Sequence, residues 1–273
     1  MALYIQTNVA SLGAQQNLSK TQNALQTSFA RLSSGYRINS SADDAAGLGI
    51  SDSMSAQIRS YGVAERNAMD GVSMAQTADG ASAQVGGLLG RMRELSVQAA
   101  NGSYTSNDRA NLNTEFTALK SEIDRIAQST SFNGTSLLNA TTTVAFQVGI
   151  GTAASDTVSV AFGGLTATTL GVSGSAVDTA ANASSAITAI DTAISSVSST
   201  RAKFGAAVNR LQSTIGNIQS MKTNLSAANS RIKDVDVAEE TAAMSRQQVL
   251  SQAGAAVLAQ ANQAPQLALS LLR

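Results

Sequence analysis

Large apolar residues recur along this chain at alternating steps of three and four. From Ile187 the positions Ile190, Ile194, Val197, Arg201, Phe204, Val208, Leu211, Ile215, Ile218, Lys222 and Leu225 follow the rule, and Ile232 extends it. A step averaging 3.5 residues keeps these side chains on one helix face and makes that face a seam for another helix. The pattern predicts one helix of about 45 residues, on the order of 70 Å long at 1.5 Å per residue. Met74, Ala78, Ala81, Val85, Leu88, Met92, Leu95 and Ala99 repeat it and stop at Asn101-Gly102. Leu112, Phe116, Leu119, Ile123 and Ile126 come next, with Ser106, Asn107 and Asp108 as capping candidates and Phe132-Asn133-Gly134 as the closing turn. Near the start Leu18, Leu25, Phe29 and Leu32 share a face ahead of a Ser33-Ser34-Gly35 stop.

Between Ala140 and Gly174 the period changes to two. Val144, Phe146, Val148 and Ile150 alternate with polar or small residues, as do Val158, Val160 and Phe162, and Gly151 to Asp156 joins the two runs. This predicts a β-hairpin. The fold class is therefore mainly α, a long antiparallel helical coiled-coil rod with a small β-hairpin tip and both chain ends together. Residues 1–40 with 235–273 would form a terminal helical assembly domain, 41–139 with 180–234 a helical rod domain, and 140–179 the tip.

Composition narrows the chemistry. Hydrophobic residues make up 43% of the 273, yet only 4% are aromatic and there is no Trp, so the cores must be thin ones in which helices approach through small residues. The single proline, Pro265, leaves helices almost uninterrupted. Eighteen basic and eighteen acidic residues alternate along the chain. They form no basic stripe for a phosphate backbone and no cationic face for anionic lipid. With no His and no Cys there is no imidazole, thiolate or disulfide, which excludes Ser-His and Cys-His catalysis and most zinc sites. Asp43-Asp44 lacks a companion nucleophile and reads as a turn and helix cap. Ser230-x-x-Lys233 lies in a seam helix without companion motifs. The sequence points to neither an enzyme nor a cofactor.

The two ends stand apart. Met1–Ser19 and Gln247–Leu272 carry no charged side chain. The first lacks the basic start of a secretory signal, and Gln248, Gln252, Gln260, Asn262, Gln263 and Gln266 would each be unsatisfied in hydrocarbon, so the second is not a membrane span. Leu250, Ala253, Val257, Ala264, Leu267 and Leu271 form another heptad seam, with Ile5, Val9 and Leu12 as its N-terminal counterpart. Each end has too little apolar surface to offset ordering at roughly 1–2 kcal/mol per residue. The expectation is that both ends stay frayed in the monomer and fold together when copies stack, with Ile5, Val9, Leu12, Leu250, Val257, Leu267 and Leu271 carrying the contact.

Three stretches bear a family resemblance. Leu32-Ser33-Ser34-Gly35-Tyr36-Arg37-Ile38-Asn39 followed by Asp43-Asp44-Ala45-Ala46-Gly47-Leu48 resembles the N-terminal signature of bacterial flagellins. Arg91-Met92-Arg93-Glu94-Leu95-Ser96-Val97-Gln98-Ala99 is similar to a second flagellin block, and Val257-Leu258-Ala259-Gln260-Ala261-Asn262-Gln263-Ala264-Pro265-Gln266 through Leu271-Leu272-Arg273 to the flagellin C-terminus. The resemblance covers about residues 1–139 and 180–273. It implies a homopolymeric, helical, extracellular flagellar filament that gives motility. Paired ends would form the inner tube, and the large outer domains of longer relatives are absent. It also implies type III export without a cleaved signal, a chaperone on the C-terminal segment, and filament-cap and hook-junction proteins as partners. Recognition by Toll-like receptor 5 carries over by position to Arg91, Leu95 and Glu115. Gly86, Gly87 and Gly90 depart from the family pattern, as do Tyr4 and Gln6, and the glycines would permit a close helix approach or soften the helix there. A hook–filament junction protein and an exported effector with a coiled coil are the other readings. The hydroxyl-rich hairpin, Thr141–Thr143 and Thr152–Ser159, is a candidate for O-linked sugars.

Overall fold

The computed structural model describes residues 7–270, with side chains as far as residue 263. Among these residues the chain is mainly α, with five helices and two two-stranded antiparallel sheets. In chain order these are α1 (Val9–Ser34), α2 (Ala45–Ala100), α3 (Ser106–Ser129), β1 (Ser131–Phe132), β2 (Thr135–Ser136), β3 (Thr142–Gln147), β4 (Thr157–Phe162), α4 (Ala180–Lys233) and α5 (Val237–Ser270). The chain divides into two compact units, one from Gln57–Thr223 and one from the residues up to Ala56 together with those from Asn224 on.

In the Gln57–Thr223 unit, α2, α3, α4 and the hairpin close over one apolar core. The seam there is built from smaller residues than the hydropathy pattern implies. Ala183, Ala186, Ile190, Ala193, Val197, Phe204, Ala207, Leu211 and Ile218 of α4 are buried, while Ile194 and Val208 are only half-buried and Arg201 is exposed. In α2, Ser82 and Leu89 take the inner places expected for Ala81 and Leu88. A small side chain at the seam, such as Ala193, brings two helices closer, and its bulkier neighbour Ile194 then packs from the flank.

The same effect explains why α2 begins at Ala45, well ahead of the predicted Met74. Ala64, Ala68, Gly71 and Ala75 line its buried face and give little hydropathy signal. At Gly71 the neighbours leave little room for a side chain. A Cβ there would stand 3.1 Å from Leu211 Cδ1 and 3.1 Å from the Phe146 ring. Gly87 and Gly90 face open space, and a Cβ at Gly86 would meet only Val197 at 3.9 Å, so these three glycines are not where helices come together.

The helix ends follow local chemistry. Thr105, one residue before the expected candidates, caps α3: its Oγ1 accepts from Asp108 N at 3.3 Å and Asp108 Oδ2 accepts from Thr105 N at 2.9 Å. Arg109 closes the end of α2 by donating to the Ala99 and Asn101 carbonyls at 2.8 and 2.9 Å. Asn133 (φ 46°) and Gly134 (φ 79°) make the two-residue turn between β1 and β2 that a paired hairpin requires.

β3 and β4 pair with Val144 opposite Val160 and Phe146 opposite Val158. β3 ends at Gln147, short of the predicted Ile150, because Val148 N and Gly149 N both turn to the Asp156 carbonyl. Phe162 at the end of β4 packs on Phe204 of α4, ring centroids 5.6 Å apart. The segment after β4 is not part of a loose tip. It runs along α3 and buries Leu165, Leu170, Val172 and Val177. Polar side chains of α3 fasten it: Asp124 accepts from Ala167 N at 2.8 Å, Lys120 donates to the Ser173 carbonyl at 2.8 Å, and Asn113 accepts from Val177 N at 2.9 Å.

Candidate assembly surface

The other unit pairs α1 with α5. The antiparallel sense follows from its contacts: Asn8 Nδ2 donates to the Ala261 carbonyl at 2.8 Å, Ser11 Oγ to Asn262 Oδ1 at 2.8 Å, and Arg31 lies 3.6 Å from Glu240. Over the described residues the two terminal helices are thus paired with each other within one chain. Residues that hydropathy overlooks make this pairing. Ser11, Ala14 and Ser28 are the buried residues of α1, and on α5 Gly254 admits Leu18, whose Cδ1 would stand 3.5 Å from a Cβ at 254.

Leu18, Leu25 and Leu32 of α1 and Met244 and Leu258 of α5 are half-buried, but other large apolar side chains are left outside. On α1, Val9 is 67% and Leu12 57% exposed; on α5, Leu250 is 49% and Val257 58% exposed. From Met244 on, the partly buried positions of α5 are Met244, Gln247, Ser251, Gly254, Leu258 and Ala261, a heptad stripe one residue away from Leu250, Ala253 and Val257. Thus α5 carries two heptad stripes. One of mixed size is used within the chain, and the other faces out. Ile5 and Leu271 lie outside the described residues, as does the side chain of Leu267 on α5. Val249, 64% exposed, and Phe29, 51% exposed, join the outward set. Phe29 was expected in the seam. Ser28 replaces it because the heptad step after Leu25 is three and then four, to Leu32.

Apart from Lys20, midway along α1, charge is confined to the opposite end of this pair. There Asp43 accepts from Asn39 N and from Ser40 N and Oγ, at 2.9 to 3.2 Å, closing the turn between α1 and α2. These bonds, led by those from Ser40 and aided by Arg31, hold its carboxyl below the usual carboxylate range. Asp44 Oδ1 accepts from Gly47 N at 2.8 Å at the start of α2. The acidic pair therefore builds a turn and a helix start, as their setting in the sequence implied. Asp236 does the same for α5 through Ala238 N and Glu239 N. From Gln247 to the last described side chain α5 bears no charge, so its outward stripe can be covered without desolvating an ion.

A second exposed group lies on the Gln57–Thr223 unit. Arg91 bridges helices by donating to Glu115 of α3 and to Glu94 of α2, each at 2.9 Å. These bonds, Glu115 first, hold its guanidinium above its ordinary value. Leu95, expected on the same surface, is fully buried in the core, since it points into the α2 seam. The accessible group there is Arg91, Glu94 and Glu115. No helix among the described residues is long and apolar enough to cross a membrane.

Comparison with known proteins adds identity to this geometry. Residues 5–143 match the model for the bacterial flagellin N-terminal helical region, and residues 187–272 that for the bacterial flagellin C-terminal helical region. A flagellin of Halalkalibacterium halodurans is 44% identical over 272 residues, covering 99% of this chain and 100% of the relative. Flagellin C of Vibrio cholerae is 36% identical over an alignment of 377 positions covering 100% of both chains, so that relative carries a long insertion. The crystal structure of Bacillus cereus flagellin superposes with a TM-score of 0.51 at 35% identity, over 60% of this chain and 94% of that one. With two family models spanning most of its length and a full-length relative of this similarity, the chain belongs to the bacterial flagellins, a family of structural proteins and not enzymes.

Proposed function

We infer that this chain is a structural subunit of the flagellar filament and that copies join through the outward stripes of α1 and α5. Val9, Leu12, Leu250 and Val257 carry that contact, with Ile5, Leu267 and Leu271 continuing it towards the chain ends. The observation behind this reading is an apolar surplus. The terminal helix pair buries serine and alanine with a few half-buried leucines at its seam, and leaves Val9, Leu12, Leu250 and Val257 outside. Burying one such side chain contributes about 1.5–3 kcal/mol. A repeating contact of several per subunit is enough to hold a polymer.

Finer partners rest on the family resemblance. An export chaperone would cover the same α5 stripe before secretion, and cap and hook-junction proteins would meet the filament ends. Toll-like receptor 5 would meet Arg91, Glu94 and Glu115.

Electron microscopy of the purified chain, seeded with filament fragments or brought together by a precipitating salt, tests the central reading. Long uniform filaments are expected. Monomer that stays soluble under both conditions would overturn it in favour of a junction protein or an exported effector.

A further inference from the structure

Two Asn-Gly pairs stand in exposed turns of the Gln57–Thr223 unit, Asn101-Gly102 between α2 and α3 and Asn133-Gly134 between β1 and β2. An asparagine before glycine is open to attack by its own backbone, because no Cβ shields the next N–H from the side-chain amide. In the local sequence the two pairs are alike. Their surroundings in the fold are not.

We propose that Asn101-Gly102 is a self-modification site, where the folded chain promotes loss of the Asn101 side-chain amide. Gly102 N gives up its proton and attacks Asn101 Cγ. The new N–Cγ bond closes a cyclic imide, the Cγ–Nδ2 bond breaks, and Nδ2 leaves as ammonia with that proton. Water then opens the imide. Attack at the side-chain carbonyl restores the main chain with aspartate at 101. Attack at the main-chain carbonyl leaves an isoaspartyl link, in which the chain runs through Cγ and is one carbon longer.

Three features favour this step at Asn101. Its main-chain carbonyl, the other half of the peptide unit that holds Gly102 N, accepts from Arg109 Nη2 at 2.9 Å and from Tyr104 N at 3.4 Å. A cation on that oxygen stabilises the peptide anion and so makes the Gly102 N–H easier to deprotonate. The Asn101 side-chain Oδ1 accepts from Ser103 N at 3.2 Å, a donor standing where negative charge develops as Cγ becomes tetrahedral. Among the described residues Gly102 N donates to no protein group, and the space about its Cα is open, so no bond or neighbour holds it back. Arg109 is itself fixed by a second bond, from Nε to the Ala99 carbonyl at 2.8 Å.

Asn133 lacks this help. It sits at φ 46° in its two-residue turn, and among the described residues no charged group donates to its carbonyl and no N–H to its side chain. The change at 101 adds a carboxylate, and in the isoaspartyl form an extra carbon, to the turn that ties α2 to α3. A subunit held in a filament outside the cell would accumulate it with age. That consequence rests on the function proposed above, whereas the reaction needs only a single folded chain.

The test follows the purified full-length chain at mildly alkaline pH, with tryptic digestion and tandem mass spectrometry at successive times. Asn101 falls in the fragment 94–109 and Asn133 in 126–201, so one digest reads both pairs. In the folded chain Asn101 should react several-fold faster than Asn133, and in urea, where only local sequence acts, the two should react at similar rates. Arg109→Gln should slow the Asn101 reaction of the folded chain roughly three- to tenfold, the weight of one charge-assisted hydrogen bond, and leave the rate in urea unchanged. Arg109→Lys, which keeps a cation, should slow it less. Asn133 reacting as fast as Asn101 in the folded parent would overturn the proposal, and so would an equal preference for Asn101 in urea. A faster reaction in folded Arg109→Gln would also overturn it, by making Arg109 a clamp that protects the turn.

Discussion

The two units use the same heptad grammar to opposite ends. In the Gln57–Thr223 unit the bulk goes inward: Phe116, Phe162, Phe204, Leu89, Met92, Leu95 and Ile123 have no more than 1% of their surface exposed. In the α1/α5 pair the fully buried residues of α1 are Ser11, Ala14 and Ser28, Leu18 fits against Gly254, and Val9, Leu12, Leu250 and Val257 face outward. The first unit completes its core within one chain. In the second, the function proposed above has other copies cover the outward residues. Where large side chains stand relative to their helix's partner is thus the difference between the two units.

The largest expected effect lies in the second unit and is felt only by the polymer. Val257→Asp or Leu250→Asp places a carboxylate in the outward stripe. Filament formation from seeds should be abolished, while the monomer's unfolding free energy changes by no more than about 0.5 kcal/mol, as for other exposed positions. Normal filaments seen by electron microscopy would erase the distinction between the units.

The converse substitution is Phe204→Ala. It empties a buried aromatic site beside Phe162 and should cost about 3–5 kcal/mol in denaturant unfolding of the monomer. A loss below about 1 kcal/mol, the size of an ordinary surface change, would mean the core of the Gln57–Thr223 unit is not closed.

Glycines sharpen the contrast within α2. Gly71→Leu forces side-chain atoms into Leu211 and Phe146 and should destabilise by about 1–3 kcal/mol. Gly90→Ala meets open space and should stabilise by roughly 0.5–1 kcal/mol through helix propensity. Thermal melts of the two variants should move in opposite directions.

Much of this was legible in the sequence, and what was not has one cause. Phe204, Leu211 and Ile218 announce α4 because large apolar residues mark a face by themselves. The first half of α2 and the α1/α5 seam escape notice because Ala64, Ala68, Gly71, Ser11 and Gly254 pack through closeness and carry little hydropathy. The outward stripe of α5 was readable as a heptad seam from Leu250 and Val257. That it is not the seam used within the chain was not, since a stripe one residue over looks equally periodic. The segment after β4 has no period at all. It is held by Asn113, Lys120 and Asp124, whose roles depend on contacts far along the chain.

The smallest effect concerns the charged trim. Among the described residues, the carboxylates drawn below their ordinary range are Glu65, Asp108, Glu122 and Asp191 in the Gln57–Thr223 unit and Asp43 alone in the other. For Asp191 the cause is the hydrogen bond and then the charge of Arg93, whose Nε lies 2.6 Å from Oδ1 across α2 and α4. A depressed carboxylate binds fewer protons in the folded chain than in the unfolded one. Its stabilising effect is therefore full above the unfolded value, about 3.9, and is lost as pH falls through the lower folded value. Asp191→Asn should unfold at slightly lower urea than the parent near pH 7. The gap should narrow below about pH 5 and close by about pH 2. Both groups are solvent-exposed, so salt should shrink the gap as well. A difference that persisted unchanged at low pH would show that Asp191 acts by its shape and not its charge. The charged trim of the Gln57–Thr223 unit would then resemble the uncharged end of the α1/α5 pair more than its ion pairs imply.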